Sequence, residues 1–334
     1  MKRITALWGF SEATIGGILH VFKIPITGLF LGSFAVIFIS LIYFYSKDPN
    51  QILKSTLIVI LVKFVVSPYS PITAYFAVFL QGVFGFILFY FGVLFKTAAI
   101  SLGLLALLST GVQKIIIYTL LFGFTFWKSI NIFYQFILKQ FFNEPGKLGY
   151  INLSYLIIGL YILLHIIVGL LAGVIASKLP DWIEKYYSEL EGTLKIDISA
   201  VPKLPEKGKR IKWWKRKSSI IIFSILISVA ILSYFYPEVS GNLFVEILIM
   251  VVRSSIILLL WLFVLVPVIN KLFIRYAKKN KNKYSEEINN IISLFPQFKI
   301  IILESWKLSM QKRGLAKMKY FFTLIFIFLL KYKF

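Results

Sequence analysis

Residues Thr5 to His20 read TALWGFSEATIGGILH. The stretch is apolar enough to enter a bilayer, yet Glu12 stands in its middle. Gly9, Ala13 and Gly17 recur every four residues, so on a helix they share one face. That face is nearly bare of side chains, and small-xxx-small stripes let helices approach closely in lipid. A carboxylate at membrane depth is expensive and normally faces a partner or a water-filled cavity. Lys63 and Lys114 are the cations placed to reach it from other apolar segments. Three solutions suit Glu12: a structural ion pair, a role in binding or coupling, or protonation in place.

The rest of the chain supports a membrane setting. Hydrophobic residues make up 59% of its 334 positions, and the mean hydropathy is +0.83. Apolar runs of spanning length recur without the alternation of a β-barrel. The expected fold class is therefore all-α, a polytopic helical bundle. Lys2 and Arg3 lead directly into the first apolar run with no small-residue cleavage site after it, which predicts a retained helix. The net charge of +23 is gathered in a few polar segments. It reads as cytoplasmic loops under the positive-inside rule, with the N-terminus inside, rather than as a nucleic-acid surface. With no cysteine and two histidines, disulfides, thiol chemistry and a multi-histidine metal site are excluded.

The expected spans are Ile4–Val21, Ile26–Tyr45, Ser55–Val66, Ala74–Phe95, Ala98–Gly123 and Ile151–Ser177. Gln113 and Lys114 leave open whether the fifth is one span or two. The basic run KGKRIKWWKRK belongs inside, and an even number of crossings before it favours one span. The segment FTFWKSINIFYQFILKQFF is then an amphipathic helix on the outer interface. Residues 1–177 form a six-span unit and 178–217 a basic cytoplasmic linker. Residues 218–334 contain a two-span hairpin, a mixed helix over Ser285–Lys319 and an apolar tail too short for a full span.

No GxxxxGK[ST], HExxH or GxSxG sequence occurs, and Glu12 stands without a carboxylate neighbour in the helices. The expectation is a protein that is not an enzyme and needs no cofactor. His165 reads as a packed histidine.

The stretch GGILHVFKIPITGLFLGSFAVIF, together with the small stripe before it, resembles the S component of an energy-coupling factor (ECF) vitamin transporter. The segment LFPQFKIIILESWKLSMQKRGLAK is similar to a T-component coupling helix, which starts at a proline and ends in alanine-arginine-glycine. Arg313 and Gly314 match the last two residues, and Lys312 replaces the small one. T components usually carry two such motifs and more spans. The resemblance implies that Gly9, Ala13 and Gly17 dock against coupling helices. It implies that Arg313 inserts into a groove on a cytoplasmic ABC-type ATPase, where its planar fork suits carboxylates, with Gly314 as helix C-cap. Further partners are another T component and a vitamin-like solute.

On that footing the solute would sit at the outer side, against Glu12, His20, Lys23, Tyr69, Lys114, Trp127, Asn131 and Tyr134. Aromatic walls with a few polar anchors suit a flat small molecule. An aromatic belt with snorkelling lysines explains the same residues one at a time. Two other functions stay open: a membrane scaffold or assembly factor that transports nothing, and a proton-coupled carrier using Glu12. The expected location is the cytoplasmic (inner) membrane.

Overall fold

A computed structural model describes residues 2–16, 27–67, 70–92, 94–141, 150–190 and 286–330, with scattered positions between 252 and 271. The described residues form helices joined by short turns, with no strand among them. The helices are α1 (Lys2–Phe10), continued by a π-helical turn at Ser11–Ile15, α2 (Thr27–Ser46), α3 (Asn50–Val66), α4 (Ile72–Tyr90), α5 (Phe95–Phe122), α6 (Phe124–Phe141), α7 (Leu153–Leu190), α8 (Phe295–Ser309) and α9 (Gly314–Leu330).

Four of them are long and apolar enough to cross a membrane: α2, α4, α5 and the Leu153–Tyr187 part of α7. They match four of the six expected spans. The other two correspond to α1 with its π turn and to α3, whose 17 residues reach about 25 Å against a hydrocarbon core of about 30 Å. Most of the expected hairpin at 218–269 and of the basic linker lies outside the described residues.

The chain divides into two compact units. The first comprises Met1–Thr110, Leu164–Leu204 and Lys279–Phe334. In it, α1 packs on both α2 and α3, and α4 covers the same two helices. α2 is the core helix: Ala35, Val36, Ile39, Leu41 and Ile42 are fully buried. The α2–α3 turn is closed by Asp48, whose Oδ1 accepts the Asn50 backbone N–H at 2.9 Å. That bond, with a weaker one from Gln51, holds the Asp48 carboxyl below its ordinary range. The second unit comprises Gly111–Leu163 and Pro205–Lys278. It holds the upper part of α5, all of α6 and the start of α7.

α5 runs unbroken for 28 residues, the one-span alternative for the fifth segment, so Gln113 and Lys114 do not divide it. Two expected boundaries do move. α7 does not stop at Ser177 but continues through Pro180 to Leu190. The stripe Ala172, Ala176, Leu179 and Ile183 stays buried across the proline, and that packing outweighs the lost backbone bond. The mixed helix expected over 285–319 is broken. α8 ends at Ser309, and Gly314 adopts a left-handed φ of 59°, which glycine alone adopts cheaply. Folding back there lets α9 pack along α8, with Leu324, Ile327 and Phe328 buried.

Candidate functional site

The site builds from the contact between α1 and α3. These helices run in the same direction, because successive positions pair at near-constant offset. Thr5 Oγ1 and Ser55 Oγ are 2.9 Å apart. Further along, Gly9 lies against Val62. At the next turn Lys63 Nζ donates to Glu12 Oε2 at 2.7 Å. Lys63 is 0% exposed and Glu12 2%, so the pair is removed from solvent and satisfies itself as a buried charge must.

Local sequence shapes this point. Ser11 Oγ donates to the Trp8 carbonyl at 2.8 Å, and Thr14 Oγ1 to that of Phe10 at 2.6 Å. Such back-bonding disturbs helices, and here the helix widens into the π turn that carries Glu12. Isolated π turns are frequent at functional sites. Lys63 Nζ also lies 5.7 Å from the centre of the Tyr75 ring, inside cation–π range. The Tyr75 hydroxyl donates to the Ser67 carbonyl at 3.0 Å, tying α4 to the end of α3. Trp8, one turn below Glu12, is fully buried, and its Nε1 has no hydrogen-bond acceptor among the described residues. Of the two cations named for Glu12, the structure joins it to Lys63. Tyr75 and Ser67 were not foreseen, although the aromatic and the two prolines of KFVVSPYSPITAY marked a shaped turn beside Lys63.

Gly9 and Ala13 are buried, with α3 over Gly9, while Gly17, His20, Lys23 and Tyr69 lie outside the described residues. Trp127, Asn131 and Tyr134 belong to α6. Trp127 Nε1 donates to Thr119 Oγ1 at 2.9 Å. Asn131 Oδ1 accepts the Ser154 backbone N–H at 2.9 Å, and Ser154 Oγ donates to the Trp127 carbonyl. Both side chains therefore fasten α6 to α5 and to the first turn of α7. Tyr134 and Lys114 are half-buried, and His165 is buried as expected.

At the other end of the chain, Phe10 packs edge-on against Phe295 at 5.1 Å and Phe298 at 5.8 Å. The α8–α9 hairpin thus grips α1 half a turn before Glu12. Trp306 meets Phe321 edge-on at 5.2 Å and lies 4.0 Å under Lys317 Nζ, locking the hairpin. The connecting residues Met310–Arg313 are exposed. Among the described residues no three His, Asp or Glu side chains gather as a metal site would require.

A further close helix contact joins backbone to backbone. A Cβ on Gly103 would sit 2.2 Å from the Gly169 carbonyl oxygen, and one on Gly173 2.5 Å from Ile100 Cα. α5 and α7 thus touch backbone to backbone. The signal was present as the GLLAG of Gly169–Gly173, a GxxxG pattern in an apolar run.

No protein-family model matches the chain, and neither a curated protein nor a solved structure is significantly similar to it.

Proposed function

We propose that the chain is a non-enzymatic membrane subunit of an ECF-type importer, working as its coupling element more than as its solute trap. One observation carries this: the α8–α9 hairpin bears an exposed basic turn at Lys312 and Arg313 and is packed by Phe295 and Phe298 onto α1. Force on the turn would pass through α8 to Phe10 and on to the π turn holding Glu12. Capture of a vitamin-like solute has weaker support, since Trp127 and Asn131 are spent on helix junctions. In this reading α1 and α3 complete six crossings of the inner membrane, the end bearing Lys2 and Arg3 is cytoplasmic, and an ABC-type ATPase takes Arg313.

The test is a mild-detergent pull-down of the tagged full chain with mass spectrometry, beside Arg313→Glu. An ABC-type ATPase that co-purifies with the wild type and is lost from the variant is the expected result. Because the chain has no cysteine, Gln311→Cys also reports the side of the membrane directly. Labelling from outside, or no ATPase under conditions that keep other weak complexes, would refute the coupling role.

A second reading is favoured by the buried Glu12–Lys63 pair itself. Intramembrane carboxylates paired with a cation also serve proton-coupled carriers. Uptake that stops in Glu12→Gln but survives loss of the ATPase would select it.

A further inference from the structure

Where α1 and α3 begin, about 15 Å along α1 from Glu12, the structure contains a cavity of about 490 Å³. A helical segment at 286–293 and Leu294 form one wall of it, and it is partly open to the surface. Its wall carries three cations, Lys2, Arg3 and Lys54, against one carboxylate, Glu287. That carboxylate is engaged: Lys54 Nζ donates to Glu287 Oε1 at 2.8 Å. The wall as a whole is left with positive charge in excess. Glu287 Oε2 is enclosed and has no donor among the described residues. Asn290 adds an amide, but most of the surface is apolar, with Ile58, Ile291 and Leu294 contributing to it.

We infer that this cavity binds a phosphate ester of a small polyol. Phosphate offers several oxygens to separate cations at once, and arginine and lysine are its usual donors. A bare ion would leave most of the volume empty, since pockets of this size suit a whole small molecule. A hydroxyl beside the phosphate would supply the donor that Glu287 Oε2 lacks. The apolar part of the wall accepts the carbon skeleton. Lys2 and Arg3 flank the start of an apolar helix, where lipid head groups lie. The same chemistry reaches the site as an anionic lipid head group or as a soluble ester. The inference is independent of the coupling role, because no part of the Arg313 turn lines the cavity.

Native mass spectrometry of the full chain in detergent tests it with three probes: phosphatidylglycerol, phosphatidylcholine and soluble glycerol 1-phosphate. Two variants accompany the wild type. Lys2→Gln/Arg3→Gln removes charge, and Asn290→Trp fills the cavity with the cations intact. Lys96→Gln serves as a distant lysine control, and each protein is first shown to elute as one monodisperse peak. Saturable binding of phosphatidylglycerol or glycerol phosphate, weakened about tenfold or more in both variants and unchanged in the control, is expected. Binding of the lipid alone assigns the source to the membrane, and binding of the soluble ester assigns it to the aqueous phase. No binding of either, equal binding of phosphatidylcholine, or binding that survives both variants would overturn the site.

Discussion

Two helix contacts of the first unit solve the same problem in opposite ways. α1 meets α3 through polar side chains, Thr5 with Ser55 and Glu12 with Lys63. α5 meets α7 through glycine, with Gly103 against Gly169 and Gly173 and no side chain between the backbones. In lipid there is no hydrophobic drive between helices, so association rests on hydrogen bonds or on close packing. One contact uses the first and the other the second. The polar contact can be switched by charge. The glycine contact can only be kept or broken.

The largest expected effect is at the ion pair. Lys63→Met leaves Glu12 buried without its cation and should destabilise the protein by about 3–5 kcal/mol, read as a lowered unfolding midpoint in mixed micelles. Adding Glu12→Leu to the same protein should restore most of the loss, since an apolar pair of similar volume is often neutral. A double variant as unstable as the single would show that the pair's surroundings, not the pair, hold α1 on α3. A double variant that is stable but inactive would place Glu12 in the working cycle.

Next comes the glycine contact. Gly103→Ala should cost about 1–3 kcal/mol even though alanine favours the helix by about 1 kcal/mol. The new methyl would meet the Gly169 carbonyl and the Gly173 backbone N, neither of which rotates away. Unchanged stability in the same micelle titration would mean that α5 and α7 separate without loss.

Sequence disclosed the polar contact more readily than the apolar one, for a physical reason. Glu12 and Lys63 are anomalies in apolar runs, and an anomaly points to its partner. Gly169 and Gly173 form a GxxxG pattern that marks a close-packing face, but it does not name its partner, and Gly103 looks like any other small residue until the backbones are seen to touch. The four long spans were legible from hydropathy alone, all but the end of α7 to within about five residues. Helix ends were not. The change to a basic linker at 178 suggests a stop after Ser177, which the buried stripe from Ala172 to Ile183 cancels, and nothing before Gly314 signals that the C-terminal helix folds back on itself. Trp127 and Asn131 looked like solute anchors because aromatic and amide groups serve binding and junctions equally well. Only their partners, Thr119 and Ser154, distinguish the two uses.

The smallest expected effect is the sharpest comparison, because it makes the same chemical change as Gly103→Ala on the other contact. At Gly9 an added Cβ would lie 3.3 Å from Val62 Cγ1. That atom is a side-chain methyl able to give by a few tenths of an ångström, not a carbonyl. The helix gains about 1 kcal/mol from alanine, and the tighter contact offsets it. Gly9→Ala should therefore stay within about 0.5 kcal/mol of the wild type, and ATPase co-purification should be unchanged. The reason is geometric: α3 already covers Gly9, so no second helix reaches it. If Gly9→Ala keeps its stability and yet loses its partner, α3 must move aside in the working protein, and the stripe of Gly9 and Ala13 would then be a docking face exposed in a second state of the bundle.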